Sequence, residues 1–243
     1  MEDTRLVWPD KVSAPQRGVH MCYALMSSGG KDSTLALDRA RRDGLDVRYL
    51  VNIYDGPSQR VAFHGVRADL IAAQADACGL DLVAAHTDAD NPYEPVLLRT
   101  LRDLGLRGVT GIVFGNIHLA DVREWYETRV TAAGLTHVEP LWGEPPLSLV
   151  REVVERGFRP IVVSVDLQQG AADLLGREID DDFVKTVEGR KNMDPCGERG
   201  EYHTFVYAGP TFNDPISVER GDVREERNHS LLDLLPPAPN PSP

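Results

Sequence analysis

Residues 28–33 read Ser28-Gly29-Gly30-Lys31-Asp32-Ser33 and lie between an apolar segment and an amphipathic one. The preceding residues 19–26 suit a buried strand, and the apolar pattern that follows predicts a helix ending at Gly44. Glycines let backbone N–H groups converge on one point, and the first turn of a helix adds free N–H groups and a positive dipole end. Two serine hydroxyls and a lysine cation add further donors. A strand, this loop and a helix therefore predict a phosphate-binding site.

The loop is not a Walker A loop. That sequence would require Gly at position 25 and Ser or Thr at position 32, where Leu25 and Asp32 stand. An aspartate beside phosphates is expected to hold Mg²⁺ or to cap the helix. A glycine-rich turn that caps a helix and binds nothing is the alternative. The complete six-residue string after an apolar strand favours phosphate binding over that alternative.

Strand-like and helix-like segments alternate through the first half of the chain. Further strands are predicted at residues 47–53, 80–85 and 111–114, and helices at residues 66–78, 94–104 and 121–133. This alternation predicts an α/β fold in which a parallel sheet carries helices on both faces. Ligands bind such sheets at the carboxyl ends of the strands, where the 28–33 loop falls.

The alternation ends near Pro140. Helices predicted at residues 147–156 and 180–188 and strands at residues 160–165 and 202–207 indicate a smaller C-terminal α+β lobe. We expect four parts in the chain. They are an irregular N-terminal arm (1–18), a phosphate-binding domain (19–139), the smaller lobe (140–225) and a flexible Pro-rich tail (226–243).

Composition narrows the function classes. The 243 residues carry a formal net charge of −12, which argues against a large nucleic-acid footprint. The three cysteines are far apart and suggest neither a disulfide framework nor a zinc site. No apolar run approaches the roughly 20 residues that cross a membrane, so no membrane partner is expected. The N-terminus lacks the pattern of a signal peptide, and we predict a cytoplasmic protein.

A second distinctive segment runs from residue 194 to residue 210 and contains Glu198, Glu201, His203 and Thr204. If residues 201–205 are extended, Glu201 and His203 share one face and Thr204 points to the other. A carboxylate and an imidazole on one face suit the binding of an ammonium ion and the removal of its proton. The alternative is a packing strand with a core histidine and solvated glutamates.

Both segments resemble known sequences. The 28–33 loop is similar to the PP-loop of the N-type ATP pyrophosphatases, and residues 194–210 resemble the signature of the diphthine–ammonia ligase family within that superfamily. Shorter similarities stand between them, at His64-Gly65, at residues 114–117 (Phe-Gly-Asn-Ile), at residues 140–142 and at residues 162–166. The resemblance runs in order from about residue 20 to residue 212. It implies an adenosine-nucleotide-α-hydrolase-type fold and an enzyme that splits ATP into AMP and pyrophosphate.

The resemblance also implies roles for particular residues. ATP and Mg²⁺ would bind at the loop, with Asp32 as the metal ligand. Glu198, Glu201 and His203 would act with Asp32 in catalysis, and Arg199, Gly200 and Thr204 would contact the substrate. The residues expected to contact the nucleotide are Ser28, Gly29, Gly30, Lys31, Asp32, Ser33, His64, Gly65, Gly115 and Asn116. His64-Gly65 remains equally compatible with a simple helix-start turn.

By the same resemblance the reaction joins ammonia to a carboxylate, such as diphthine on elongation factor 2. Arg199 stands where the family usually has Asn, and this departure leaves the acceptor open. A small-molecule carboxylate, as in cobalamin salvage, is an alternative within the family. A tRNA-modifying sulfur transferase and a non-catalytic nucleotide sensor are alternatives outside it. The sequence allows a homodimer without requiring one.

Overall fold

The structure is a computed structural model that describes residues 21–236. The predicted N-terminal arm (1–18) and residues 237–243 lie outside the described residues. The elements, in chain order, are β1 (Cys22–Met26), α1 (Lys31–Arg42), β2 (Asp46–Asp55), α2 (Ala68–Ala77), β3 (Asp81–Thr87), α3 (Tyr93–Leu106), β4 (Val109–Val113), α4 (Ala120–Ala132), β5 (Thr136–Val138), α5 (Pro146–Glu155), β6 (Pro160–Asp166), a 3₁₀ turn (Ala172–Leu174), α6 (Asp181–Glu188), β7 (Tyr202–Val206), β8 (Glu219–Glu226) and β9 (His229–Leu235).

The first lobe is built on a parallel five-stranded sheet with the order β3-β2-β1-β4-β5. Alternate residues of β1 pack into different cores, since Tyr23 and Leu25 join helices α1 and α2 while Cys22 and Ala24 join α3 and α4. Helices therefore cover both faces, and the predicted α/β fold with a smaller C-terminal α+β lobe is confirmed. The order places β1 and β4 side by side, so the loops at their carboxyl ends are neighbours.

The second lobe contains an antiparallel four-stranded sheet with the order β7-β6-β9-β8. The prediction of a lobe ending at residue 225 and a flexible tail from residue 226 was wrong for residues 226–235. Strand β9 lies there, and Leu231, Leu232 and Leu234 are buried in it. The charged sequence of β8 hid the hairpin, because β8 is an edge strand whose side chains are mostly exposed.

Strand β7 joins the two lobes. Its Val206 N–H donates to the carbonyl of Gly29 at 2.9 Å, so the strand is hydrogen-bonded directly to the 28–33 loop. The buried amide of Gln74, on α2, donates to both Gly29 O (3.1 Å) and Val206 O (2.8 Å). One hydrophobic core runs through both lobes. None of the helices within residues 21–236 has the length and apolar character to cross a bilayer.

A half-buried ion pair fixes strand β9 to the first lobe. The Asp233 carboxylate accepts hydrogen bonds from Arg60 Nη1 at 2.8 Å and from Arg67 Nε at 3.0 Å and Nη2 at 2.6 Å. Both arginines lie in the connection between β2 and α2. This connection also carries His64, so the ion pair holds one wall of the site described below.

We predict that Asp233→Asn lowers the free energy of unfolding by about 1–3 kcal/mol, because two arginines lose a charged acceptor. Urea denaturation near neutral pH measures the change. Asp222→Asn is the matched control, since Asp222 is exposed on β8, and it should leave the stability unchanged. Equal stability of the two variants would contradict the assignment.

The same pair predicts a dependence on pH. Burial alone would raise the pKa of Asp233, but Arg67 and Arg60 lower it to about 2. Because this pKa is lower in the folded than in the unfolded chain, the pair stabilises the fold above about pH 4 and loses this effect as the pH falls. The stability difference between wild type and Asp233→Asn should therefore shrink between about pH 4 and pH 2.

Candidate active site

The 28–33 loop is held in shape by its own polar atoms. Gly29 has a φ of +83°, and its N–H donates to Ser27 Oγ at 3.0 Å. The Ser33 hydroxyl donates to Gly30 O at 3.0 Å and lies 3.1 Å from the Ser27 hydroxyl. Ser27 was missed in the sequence because it precedes the recognisable string. The buried Ser27 hydroxyl therefore supports the loop through Gly29 and Ser33.

Strand β7 contacts this loop a second time, through Thr204. The Lys31 N–H donates to Thr204 Oγ1 at 3.0 Å, across 173 residues of sequence. Thr204, predicted to contact the substrate, therefore has its hydroxyl engaged with the loop, although it also lines the pocket. His203 lines the same pocket, so the expected separation of the two residues onto opposite faces does not keep Thr204 out of the site.

Lys31 is a buried cation surrounded by acceptors. Its Nζ donates to Asp32 Oδ2 at 2.8 Å and to the carbonyl of Cys196, and it lies 5.0 Å from the centre of the Tyr202 ring. Burial alone would lower the pKa of Lys31, but Asp32 and its other neighbours raise it above the usual value. Lys31 is therefore charged at any physiological pH. Burial raises the pKa of Asp32, and Lys31 only partly offsets this.

Glu198 faces the loop from the second lobe. Its Oε1 accepts a hydrogen bond from Ile117 N–H at 3.1 Å, which ties the 194–201 segment to the end of β4. Burial raises the pKa of Glu198 to about 7, and the nearby Asp32 carboxylate adds to the shift. Two carboxylates from different lobes thus lie close enough to repel each other in front of Lys31. Such a pair favours a bound cation.

A pocket of about 340 Å³ lies between these groups. One end is polar and is lined by the loop, Glu198 and two histidines. The other end is formed by the apolar parts of Met26, Phe114, Leu119, Val122 and Tyr126. This apolar end was not predicted from the sequence. Its signal is the spacing of Val122 and Tyr126, four residues apart on α4, which puts them on one helix face beside the end of β4.

Two histidines stack at the polar end of the pocket. The rings of His64 and His203 lie 4.4 Å apart between centroids. His64 Nδ1 lies 3.3 Å from the carbonyl of Thr204, and a carbonyl only accepts, so Nδ1 carries the proton and Nε2 has a free lone pair. Burial lowers the pKa of His64 to about 4 and that of His203 well below its usual value. Both rings are therefore neutral near pH 7.

Glu201 does not face the pocket, contrary to the prediction that it acts beside His203. Its two carboxylate oxygens accept hydrogen bonds from the backbone N–H groups of Asp194 at 2.7 Å and Arg199 at 3.1 Å. A single buried carboxylate therefore braces both ends of the 194–199 segment. The residue after the Gly200 turn points back into its own loop, which a pattern of alternating faces does not anticipate.

Four other predicted residues lie outside the pocket lining. Gly29 is one of them, since its N–H donates to Ser27 Oγ and its carbonyl accepts from Val206 N–H. Gly65 packs against Leu231 of β9 instead of a nucleotide, since a Cβ there would lie 3.2 Å from the leucine side chain. Gly200, with a φ of +89°, supplies the turn between Glu198 and Glu201. Arg199 lines a separate groove together with His118 and Lys191. Its side chain does not bind Glu198 within the described residues.

Gly115 and Asn116 lie where predicted, at the end of β4 and in the pocket wall. A Cβ on Gly115 would stand 2.7 Å from Asp32 C and from Ser33 N, so the absence of a side chain lets β4 approach α1. Asn116 Nδ2 donates to the buried Glu139 carboxylate at 2.6 Å, which leaves its amide oxygen for the pocket. Glu139 was not identified from the sequence.

His118 and Asp194 were also missed. Asp194 is buried, and its Oδ1 accepts from Cys196 N–H at 2.8 Å while its Oδ2 is hydrogen-bonded to His118 Nε2. The pair joins the end of β4 to the 194–201 segment. The position of His118 just after the predicted Asn116 is the one signal that the sequence offered.

Two family models match most of the chain. The model of the diphthamide synthase N-terminal domain matches residues 21–137, and that of the diphthamide synthase C-terminal domain matches residues 145–233. The chain belongs to the diphthamide synthase family. This confirms the resemblance to the diphthine–ammonia ligases of the PP-loop superfamily and makes the 28–33 loop the PP-loop of the chain.

Comparison with curated proteins gives no significant match for this family member. Two solved structures are similar over part of the chain. The U34-tRNA thiolase NcsA from Methanococcus maripaludis aligns over 57% of this chain and 57% of its own, with 16% identity and a TM-score of 0.36. Glycinamide ribonucleotide transformylase 1 from Symbiobacterium toebii aligns over 62% of this chain and 68% of its own, with 17% identity and a TM-score of 0.29.

The donor set of this diphthamide synthase family member fits Mg²⁺ bound together with phosphates. The described residues include no cluster of three or more His, Cys, Asp or Glu side chains arranged for a metal ion. The pocket offers Asp32 and Glu198 instead. Mg²⁺ characteristically takes one or two carboxylates and completes its shell with water and substrate phosphate oxygens. Asp32 of the PP-loop and Glu198 of the second lobe could supply these carboxylates.

We predict that Gly115→Ala destabilises the protein by about 1–3 kcal/mol, because the new methyl group meets backbone atoms of Asp32 and Ser33 that cannot rotate away. Gly105→Ala is the matched control, since nothing lies within 4 Å of a Cβ at that position on α3. It should stabilise the protein by about 0.5–1 kcal/mol. Urea denaturation distinguishes the two. A stable Gly115→Ala protein would contradict the close approach.

We predict that Glu201→Gln lowers stability by about 1–3 kcal/mol, because an amide cannot accept from both N–H groups of the 194–199 segment. Glu225→Gln, at an exposed position of β8, should have no effect. Hydrogen exchange of the Asp194 and Arg199 amides should accelerate in Glu201→Gln alone. Unchanged exchange of these amides would show that the carboxylate is not the brace.

Proposed function

We propose that the chain is an ATP-dependent carboxylate–ammonia ligase that forms AMP and pyrophosphate. One observation carries this proposal. The PP-loop residues Lys31 and Asp32 share a single pocket with Glu198 and His203 of the second lobe. Phosphate-binding groups and proton-accepting groups thus line the same cavity.

ATP, a substrate here, would lie along the pocket with its base at the apolar end and its phosphates at the PP-loop. Phe114 and Tyr126, whose ring centroids lie 4.9 Å apart, would give the adenine ring an apolar wall, and Lys31 suits the phosphates. Asp32 and Glu198 would hold Mg²⁺, which supplies charge neutralisation at the phosphates. In this arrangement the phosphates replace Asp32 and the Cys196 carbonyl as partners of Lys31, and this exchange keeps the buried cation paired.

In the first half-reaction an oxygen of the acceptor carboxylate forms a bond to the α-phosphorus of ATP. The bond from that phosphorus to the oxygen bridging to the β-phosphorus breaks, and its electron pair leaves with pyrophosphate. Lys31 and the N–H groups of the PP-loop would stabilise the charge that develops on the leaving oxygen. The product is an acyl-adenylate, which has AMP as a good leaving group.

In the second half-reaction ammonia forms a bond to the acyl carbon and the bond to AMP breaks, which leaves an amide. Two protons must be removed, one from ammonium before attack and one from the nitrogen after it. The neutral His203 and the Nε2 atom of His64 are the available acceptors, because Glu198 would be engaged with Mg²⁺ in this scheme. Glu201 acts through position alone in this scheme, because it fixes the segment that carries Glu198.

Cysteine chemistry is not supported as the alternative. Cys22, Cys78 and Cys196 are free and buried within the described residues. Cys196 lines the pocket, but its Sγ donates to Pro146 O at 3.1 Å, and burial raises the pKa of its thiol above the usual value. A sulfur transferase needs an accessible thiolate. The pocket therefore favours nitrogen over sulfur as the transferred atom.

The reaction predicts that ammonium and a carboxylate acceptor stimulate release of pyrophosphate and AMP from ATP. Asp32→Asn and Glu198→Gln should each lower this rate by about 100-fold or more, as expected for the loss of a charged group at a transferring phosphoryl centre. Asp103→Asn, at an exposed position of α3, should retain the wild-type rate. Pyrophosphate is measured by a coupled assay and AMP by chromatography.

Release of ADP and orthophosphate in place of AMP and pyrophosphate would contradict the proposal. So would full activity in Asp32→Asn. Binding of nucleotide without any turnover, in the presence of ammonium and a panel of acids, would favour the nucleotide sensor over the ligase.

A further inference from the structure

A groove of about 490 Å³ lies beside the active-site pocket. Both cavities use the segment 193–199 as a wall, since Glu198 lines the pocket and the next residue, Arg199, lines the groove. Consecutive Cα atoms are about 3.8 Å apart, so the two cavities approach each other closely at this point. A ligand seated in the groove would have its near end beside the carboxylates of the site.

The groove is positively charged although the chain as a whole carries −12. Lys191 and Arg199 line it, and neither side chain forms an ion pair or hydrogen bond with any residue in the range 21–236. Asp194 is the one acidic residue of the lining. Its carboxylate is buried and is already bonded to His118 and to the N–H of Cys196. No free negative charge of the lining therefore balances the two cations.

The backbone of Arg199 is held by hydrogen bonds on both sides. The Arg199 N–H is held by Glu201, and its carbonyl accepts from Gln169 Nε2 at 3.3 Å. The same Glu201 carboxylate holds the N–H of Asp194 at the other end of the segment. A fixed backbone with mobile cationic side chains suits the capture of an anion, because only the side chains must be ordered on binding.

We propose that this groove binds a second anionic group of the acceptor, so that the substrate is a compact acid with two or more negative groups. This rests on the ligase reaction proposed above. One carboxylate enters the pocket and is activated, while the other anion, a carboxylate or a phosphate, pairs with Arg199 and Lys191. A guanidinium binds either group through two parallel hydrogen bonds, so it recognises the geometry of a carboxylate or phosphate as well as its negative charge.

The test compares three probe acids that differ in the distal group: glutarate, 3-phosphonopropionate and pentanoate. Calorimetry is carried out on the full chain with α,β-methylene-ATP, which binds without releasing pyrophosphate. We expect at least one of the two dianions to bind about tenfold or more tightly than pentanoate. Comparison of the two dianions distinguishes a carboxylate from a phosphate as the favoured distal group.

Arg199→Asn and Lys191→Gln should each reduce the preference for the dianion several-fold and leave the affinity for pentanoate unchanged. Arg102→Gln is the matched control, since Arg102 is an exposed arginine on α3 without a partner among the described residues, and it should keep the full preference. Equal binding of dianions and pentanoate, absence of binding by both dianions, or a preference that survives Arg199→Asn would each overturn the proposal.

Failure of the groove and failure of the ligase give different results. If pyrophosphate is released but the dianion preference is absent, the proposed anion site in the groove is wrong and the proposed ligase reaction is retained. If the dianion preference depends on Arg199 but no acid stimulates pyrophosphate release, the groove is an anion site and the ligase reaction is wrong.

Discussion

The site depends on the contact between strand β7 and the PP-loop. Two hydrogen bonds make it, from Lys31 N–H to Thr204 Oγ1 and from Val206 N–H to Gly29 O. A phosphate-binding loop uses its N–H groups to hold anions. Here one of those groups, the Lys31 N–H, instead donates a hydrogen bond to Thr204 of the second lobe. This contact fixes the position of the second lobe, so that the residues of β7 preceding Thr204 lie at the mouth of the loop. Tyr202 and His203 line the pocket for this reason.

The electrostatics of the pocket follow from that contact. Closing the second lobe over the loop buries Lys31, Asp32 and Glu198 together. When both acids are ionised, they leave a local excess of negative charge over the one permanent cation. Burial raises the pKa of Glu198 to about 7, and the nearby Asp32 carboxylate adds to this shift. The excess is suited to a divalent cation, whereas the neutral histidines beside it add no positive charge. For the reaction that we propose, such a site would bind metal and nucleotide together more readily than either alone, because each relieves the charge that the other brings.

The parts of the site that could be predicted from the sequence are those marked by a local sequence pattern. Apolar strands followed by a Ser-Gly-Gly-Lys-Asp-Ser loop predicted the parallel sheet and the phosphate loop, since both depend on local pattern. His203 and Glu198 were likewise found. The wrong predictions concern the directions in which residues face. Glu201 and Gly65 were placed in the site because they adjoin site residues, but the turn at Gly200 and the packing of β9 point them elsewhere. Strand β9 was missed because its burial depends on pairing with β6, which lies far away in the sequence.

The segment 194–201 separates nucleotide chemistry from acceptor choice. Its inward-facing acids, Asp194 and Glu201, bond to backbone and to His118, so they stabilise one loop shape and touch no ligand in our scheme. Glu198 and Arg199 project from that shape into different cavities. A substitution at position 199 therefore changes the charge of the groove without moving Glu198, provided that the Glu201 brace is kept. By the sequence resemblance, Arg199 in place of Asn is such a change. Under the reaction that we propose, the same framework would keep the activation of a carboxylate by ATP while the acceptor varies through one side chain.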